Sequence, residues 1–182
     1  MSRVGVVVLL VASLAATQGC SVAGSSGKVS HFSPAVVLSP AIGDTCFVGR
    51  WTLQQSVNTT GYSFNNAPLR VAGLQGATVT FSLDGTASED FAQSRPLLGA
   101  TADGGKLAIT IRGTFAFSIK TTGHSYVETG TKTELPTTAT FNGKPANYGS
   151  SYEPSSGTYS CTSSSLTMST DNKVQTDSWS KG

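Results

Sequence analysis

Hydrophobic and polar residues alternate with a period of two along most of the chain beyond residue 45. The clearest runs place these apolar residues at every second position: Val79, Phe81 and Leu83; Leu107, Ile109 and Ile111; Phe115, Phe117 and Ile119. Such alternation, rich in β-branched and aromatic residues, is typical of strands with one buried face. Weaker runs cover residues 125–131, 138–142, 158–162, 165–169 and 173–179. No window in this region has helical periodicity, so the pattern predicts an all-β domain.

Turn sequences separate these runs. Asp84-Gly85, Thr122-Gly123 and Asn142-Gly143 are dipeptides that readily adopt the positive φ of tight hairpins. Hairpins between successive strands produce an antiparallel, up-and-down meander. A meander of about eight to ten short strands can close into a barrel or fold into a sandwich. Closure removes exposed edges, which suits a long meander with few edge-protecting charges, so we expect a closed barrel.

Two connections are too long for hairpin turns, residues 59–76 and residues 142–157. Loops of this length are usually functional or mobile. Tyr62 and Phe64 lie in the first, and Tyr148 and Tyr152 lie in the second. These rings either fasten the loops to the domain or belong to a lid or binding surface, and the sequence leaves both possibilities open.

The first twenty residues have the layout of an export signal. Arg3 precedes an apolar run over residues 4–16, and small residues then lead to Cys20. We therefore predict a signal peptide over residues 1–19, which is too short to remain as a transmembrane helix. A tether rich in Ser, Gly and Pro follows over residues 20–45, and the β domain covers residues 46–182.

Cys20 is the odd one of three cysteines in a chain predicted to be exported. Gly19-Cys20 resembles the lipobox of bacterial lipoproteins, in which a diacylglycerol is attached to the cysteine. Thr17 departs from the Leu, Val or Ile usual at its position in that motif. The resemblance implies a lipid anchor on the extracytoplasmic face of the cell membrane. An ordinary secretory cleavage site is the alternative.

Composition and charge narrow the function classes. Charged residues make up 12% of the chain and the net charge is +2, with basic residues scattered rather than clustered. A nucleic-acid partner is therefore not expected. His31 and His124 stand apart from any second ligand at metal spacing, so neither a metal site nor another cofactor is expected.

Signals for catalysis are weak. Ser178 and Lys181 match a Ser-x-x-Lys pattern, but that motif needs the start of a buried helix. A hydrolase is therefore the least favoured function. Glu89 and Asp90 are adjacent on a predicted strand, so their carboxylates point to opposite faces. We expect them to form a solvated strand end. The chain is therefore predicted not to be an enzyme.

The stretch CFVGRWTL, residues 46–53, contains a Gly49-x-Trp51 tripeptide at the start of the first strand. It resembles the signature that opens the first strand of lipocalins and related calycin barrels. The resemblance implies that Trp51 plugs the closed end of a barrel. Lys181 is the nearest candidate for the Arg that this family stacks over the Trp.

A second motif, GTYSC, ends at Cys161. It resembles the late Tyr-x-Cys of small exported lipoproteins with lipocalin-like domains. In those proteins this cysteine is matched by another one just before the first-strand Trp. The resemblance implies a Cys46–Cys161 disulfide, and with it a structural role for this stretch.

The lipocalin-like resemblance implies a non-enzymatic, membrane-anchored protein that holds a lipid or other apolar small molecule in its barrel. The candidate lining residues are Trp51, Val79, Phe81, Leu83, Leu107, Ile109, Ile111, Phe115, Phe117 and Ile119. The alternative is an envelope protein-interaction module, such as an inhibitor of a cell-wall-degrading enzyme, with a filled barrel. Its candidate interface residues are Tyr62, Phe64, Tyr148 and Tyr152.

Overall fold

The computed structural model of the protein describes residues 42–64, 67–172 and 174–182. Its regular elements are all β-strands, and the described residues contain no helix. The strands are β1 (Gly49–Phe64), β2 (Ala67–Gly73), β3 (Thr78–Phe81), β4 (Thr86–Asp90), β5 (Leu97–Ala100), β6 (Lys106–Ile111), β7 (Thr114–Thr122), β8 (Ser125–Thr129), β9 (Thr133–Leu135), β10 (Thr137–Phe141), β11 (Lys144–Ala146), β12 (Ser150–Tyr152), β13 (Ser156–Cys161), β14 (Ser165–Thr170) and β15 (Gln175–Lys181). The alternating runs of the sequence are therefore confirmed as strands.

The predicted signal peptide, Cys20 and the tether up to residue 41 lie outside the described residues. Within the described ranges, no helix is long and apolar enough to cross a membrane.

Eight antiparallel strands close into a barrel, in the order β1, β15, β14, β13, β8, β7, β4, β3 and back to β1. The predicted fold class, an all-β antiparallel meander closed into a barrel, is thus confirmed. Closure joins the two ends of the domain, because Trp51 of β1 lies opposite Lys181 of β15. Every barrel strand therefore has a neighbour on both sides, and the barrel has no open edge.

A side sheet grows from the same first strand. The beginning of β1, Gly49–Thr52, pairs with β3, whereas β2 pairs with β1 from Ser56 onward. The register of β1 against β15 shifts between Leu53 and Gln55, where β1 changes partners. Beyond β2 the side sheet continues through β5, β6, β10 and β11. The chain thus leaves the barrel after β1, β4 and β8, and returns to it at β3, β7 and β13.

The irregular loop predicted at residues 59–76 is wrong. Tyr62 pairs with Leu69, and Phe64 pairs with Ala67, so β1 and β2 form a long hairpin. The run lacks clean period-two alternation, but backbone pairing does not require alternating side chains. Tyr62 and Phe64 are therefore placed on a strand rather than in a loop.

The closed end of the barrel is built around Trp51, whose side chain is fully buried. Its indole Nε1 donates a hydrogen bond to the Phe47 carbonyl at 2.9 Å. The Phe47 ring packs on the rings of Phe81 and Tyr159, with centroid distances of 4.4 and 4.9 Å. Trp51 therefore lies in a buried aromatic cluster at the end of the barrel where the Gly-x-Trp tripeptide implied a plug.

The Cys46–Cys161 disulfide joins the plugged end to β13, as the resemblance implied. The two cysteines are separated by 115 residues in the sequence. A crosslink across a loop of that length stabilises the fold by on the order of 4–5 kcal/mol in the chain-entropy model.

The packed domain begins before residue 46. Ile42 is only 1% exposed, and the Gly43 amide donates a hydrogen bond to Thr121 Oγ1 at 2.9 Å. Residues 42–45 therefore pack on the domain, with Ile42 in its core, although composition placed them in the tether. A single buried isoleucine after a Pro-containing stretch gives no periodic signal that would reveal this packing.

Candidate ligand cavity

The barrel encloses a cavity of about 460 Å³. Every barrel strand except β13 contributes side chains to its wall, and the segment 149–155 covers its mouth. The apolar part of the wall comprises Leu53, Leu74, Val79, Phe81, Phe91, Ile111, Phe115, Phe117, Leu135, Met168 and Trp179. The interior of this barrel is therefore hollow and rich in aromatic rings.

Five of the predicted lining residues lie in the cavity wall: Val79, Phe81, Ile111, Phe115 and Phe117. Trp51 is buried in the plug instead, and Ile119 is buried toward that end, two residues from Thr121. Neither of them reaches the cavity.

Three other residues that were predicted to line the cavity do not reach it: Leu107, Ile109 and Leu83. Leu107 and Ile109 are buried in the core, but they lie on β6 of the side sheet rather than in the barrel. Leu83 is 49% exposed because β3 ends at Phe81 and residue 83 sits in the following turn. Alternation extended two residues beyond the end of a strand, into a turn, does not predict burial.

Three carboxylates also line the cavity, one each on β4, β8 and β15. Each lies two positions from an inward-facing aromatic residue in the sequence, so it shares that residue's face of the chain. The three pairs are Glu89 with Phe91, Glu128 with Tyr126, and Asp177 with Trp179. This spacing is a signal in the sequence that pattern analysis of apolar residues alone misses.

The prediction of a solvated strand end at Glu89-Asp90 is wrong for Glu89. On β4, Ala87 is buried and Glu89 follows it on the same inward face. Glu89 pairs with Val79 on one side and with Phe115 on the other, and both of these side chains also line the cavity. Asp90 points the other way, and its Oδ1 accepts a hydrogen bond from the Ala92 amide at 2.8 Å.

Burial raises the pKa of Glu89 well above its ordinary value, and the negative charges of Asp177 and Glu128 raise it further. The three carboxyl groups are therefore electrostatically coupled across the cavity. None of the lining residues is Lys, Arg or His. A fourth carboxylate, Glu153, lies at the mouth, is exposed and forms an ion pair with Lys132.

Glu128 holds the segment that covers the mouth. Its Oε2 accepts hydrogen bonds from the Ser155 amide at 3.1 Å, from Ser155 Oγ at 3.0 Å and from the Tyr152 hydroxyl at 3.5 Å. Burial raises the pKa of Glu128 to about 7, although the hydrogen bonds from Ser155 oppose this rise.

Only one of the two carboxylate oxygens of Asp177 accepts a hydrogen bond from the described residues. Gln175 Nε2 donates to Asp177 Oδ2 at 2.9 Å, while the buried Oδ1 has no hydrogen-bond partner among the described residues. Burial raises the pKa of this carboxyl, and contacts with Ser56 and Gln175 oppose the rise. The indole Nε1 of Trp179, two residues away, is likewise buried without a partner in the described part of the chain.

Tyr152 fastens the covering segment to the barrel wall. Its ring stacks on Phe115 at a centroid distance of 4.2 Å and lies 5.4 Å from the ring of Phe117. Burial raises the pKa of the Tyr152 hydroxyl, and the adjacent charge of Glu128 adds to the rise. Tyr148 is half-buried and also packs against the core. The two tyrosines of the second long connection therefore attach it to the domain, and Tyr152 also lines the cavity.

The Ser178 and Lys181 side chains of the Ser-x-x-Lys pattern do not come together. Trp179 and Lys181 share the inward face of β15, so Ser178 points outward. Lys181 Nζ instead donates to the Val48 carbonyl at 3.0 Å. Across the three described ranges, no three His, Cys, Asp or Glu side chains converge closely enough to hold a metal ion.

No protein-family model matches the chain, and no curated protein or solved structure is significantly similar to it.

Proposed function

We propose that this protein is a non-enzymatic carrier or receptor that holds one small molecule inside its barrel. The observation that supports the proposal is the cavity of about 460 Å³ beneath the segment 149–155. Small-molecule sites typically have volumes of roughly 300–1,000 Å³ and combine an apolar wall with a few polar groups. The volume of this cavity lies in that range, and its wall has both apolar and polar parts.

The apolar side of the wall favours a ligand with a hydrophobic part. Phe81, Phe91, Phe115 and Phe117 all face the cavity, and the rings of Phe115 and Phe117 lie 5.5 Å apart. Aromatic walls of this kind bury hydrocarbon or ring systems favourably. A lipid-like or other largely apolar body, as the lipocalin-like resemblance implies, therefore suits this side of the cavity.

The alternative, an envelope interaction module with a filled barrel, is less well supported. It needs a barrel without free volume and exposed aromatic anchors on the long connections. The cavity argues against the first requirement, and the packing of Tyr152 on Phe115 argues against the second.

Export and membrane anchoring are part of the proposal and rest on the sequence of residues 1–20 alone. A lipid on Cys20 followed by a tether would hold the barrel at the extracytoplasmic face of the membrane. Mass spectrometry of the intact protein from its own host tests this directly: a diacylglyceryl adduct beginning at Cys20 supports anchoring, and an unmodified terminus overturns it.

Native mass spectrometry of protein purified without denaturation tests ligand binding. We expect additional mass that is lost on unfolding and recovered as a small molecule. A matched pair of variants locates the site: Met168→Trp adds volume inside the cavity, and Thr167→Trp adds it on the other face of β14. We expect the ligand to be lost only from Met168→Trp. Protein that always arrives without added mass would overturn the proposal.

A further inference from the structure

The cavity has an excess of negative groups that nothing inside it balances. Glu89, Glu128 and Asp177 all line the wall, and the lining residues include no basic side chain. An uncompensated carboxylate in a low-dielectric interior is costly, and three that repel one another are more so. A ligand that supplies positive charge removes this cost.

One unpartnered acceptor points to the same conclusion independently of charge. Asp177 Oδ1 is buried and receives no hydrogen bond from any described residue, so it is an acceptor without a donor. Trp179, which is 5% exposed and lines the cavity, also has an unpartnered Nε1, but this donor needs an acceptor on another part of the ligand than an ammonium group. Buried polar groups are almost always hydrogen-bonded in folded proteins. A ligand with N–H groups would satisfy the aspartate.

The aromatic rings offer a second type of contact to a cation. Phe115, Phe117 and Tyr152 form one group of packed rings on the wall, next to Glu89 across the β4–β7 pairing. A cation over an aromatic face is attracted by the ring quadrupole, most strongly when water is excluded. The carboxylates and these rings therefore suit the same kind of ligand.

Resting on the proposed function, we infer that the ligand is an organic ammonium ion, bound through Glu89, Glu128 and Asp177 with its apolar part against the phenylalanine side of the wall. A bare metal ion fits less well, because no three potential metal-binding side chains of the described residues converge at one point. The carboxylates are spread around the wall, so they attract one ammonium group through their combined charge rather than as three ligands at one point.

The test compares three probes that share an eight-carbon chain and differ only in the charge of the head group. Octylammonium, 1-octanol and octanoate are titrated into the purified protein by calorimetry. We expect octylammonium to bind at least ~10-fold more tightly than octanol, a difference of about 1.4 kcal/mol. Octanoate is expected to bind most weakly, because its head group repels the wall.

Isosteric amide variants identify the carboxylates that cause the preference for octylammonium. Glu89→Gln and Asp177→Asn remove a buried charge without changing volume, so both are expected to fold. Each should reduce the preference for octylammonium over octanol, while Asp90→Asn, the outward neighbour of Glu89, should leave it unchanged. Equal binding of all three probes, or an unchanged preference in both cavity variants, would overturn the ammonium inference and leave small-molecule binding intact.

If none of the probes binds, the identity of the molecule released in native mass spectrometry tests both proposals. A released molecule with an ammonium group supports both proposals. One without a cationic group overturns the ammonium inference alone, and the absence of any released molecule overturns both.

Discussion

Lys181 Nζ lies 4.8 Å from the centre of the Trp51 ring at the plugged end of the barrel. The same ammonium donates hydrogen bonds to the carbonyls of Val48 at 3.0 Å and Cys46 at 3.4 Å. Gly49 makes room for this side chain, because a Cβ there would lie 3.1 Å from Lys181 Cε and the residue has a φ of 125°. One lysine thus covers the plug and joins the last strand to the start of the first.

We expect Lys181→Ala to lower the free energy of unfolding by roughly 1–2 kcal/mol, because it removes a cation–π contact and charge-assisted hydrogen bonds at a solvent-accessible site. Lys181→Arg should retain most of the stability, since a guanidinium also stacks on an indole. Lys120→Ala, on the exposed face of β7, is the control. Urea denaturation measures all three, and equal midpoints for Lys181→Ala and the wild type would contradict the role of this contact.

The stability of the protein should fall as pH rises from about 5 toward neutrality. Because the pKa of Glu128 is about 7 in the folded protein and 4.5 is its ordinary value, the folded state binds more protons across that interval. Stability therefore decreases with rising pH, by on the order of 3 kcal/mol for this group alone. Glu89 and Asp177, whose pKa values are also raised, act in the same direction, while Tyr126 and Tyr152 titrate only at alkaline pH.

Glu128→Gln should flatten this dependence and make the protein more stable than the wild type at pH 8. Glu134→Gln, which changes an exposed carboxylate on β9, should leave the dependence intact. Thermal unfolding at pH 5, 7 and 8 measures the effect. A stability that rises through this interval in the wild type would show that the cavity carboxyls are ionised without cost.

The stack of Tyr152 on Phe115 should control how readily the segment 149–155 opens. Tyr152→Ala removes the ring, so we expect faster amide hydrogen exchange in that segment and faster release of bound ligand. Tyr152→Phe keeps the stack and loses only the 3.5 Å hydrogen bond to Glu128, so it should resemble the wild type. Unchanged exchange in Tyr152→Ala would mean that Glu128 and Ser155 hold the segment by themselves.

Gly157 is fixed by close packing of the backbone on β13. A Cβ at this position would lie 1.9 Å from the Ser169 carbonyl oxygen, which belongs to the neighbouring strand and cannot move away cheaply. We expect Gly157→Ala to cost about 3 kcal/mol or more, or to prevent folding. Gly149→Ala is the matched control, because a Cβ there meets no atom within 4 Å. Similar melting temperatures for the two variants would contradict this packing.

Some features of the cavity follow from the sequence once its alternation is followed through polar positions as well. Phe115 and Phe117 alternate with Thr114 and Ala116, and the same rule puts Glu128 on the face of Tyr126 and Asp177 on the face of Trp179. When only apolar residues are followed along each strand, Glu89 is assigned to a solvated strand end. The orientation of each carboxylate was therefore predictable, although its surroundings were not.

The sequence by itself determined local features: the strands with clear alternation, the hairpin turns between them, and, through the lipocalin-like resemblance, the Cys46–Cys161 disulfide. These depend on side-chain alternation, turn-forming residues and short motifs, all readable within a few positions. Only the tertiary structure decided that β1 is shared between the barrel and a side sheet, so that Ile109 leaves the barrel wall.

The tertiary structure also brought together Glu89, Glu128 and Asp177, which lie on three strands far apart in the sequence. A period-two pattern says which residues share a face but not which strand lies alongside, because the backbone hydrogen bonds of a sheet are the same for any partner. The acidic character of the cavity arises from that choice of neighbours.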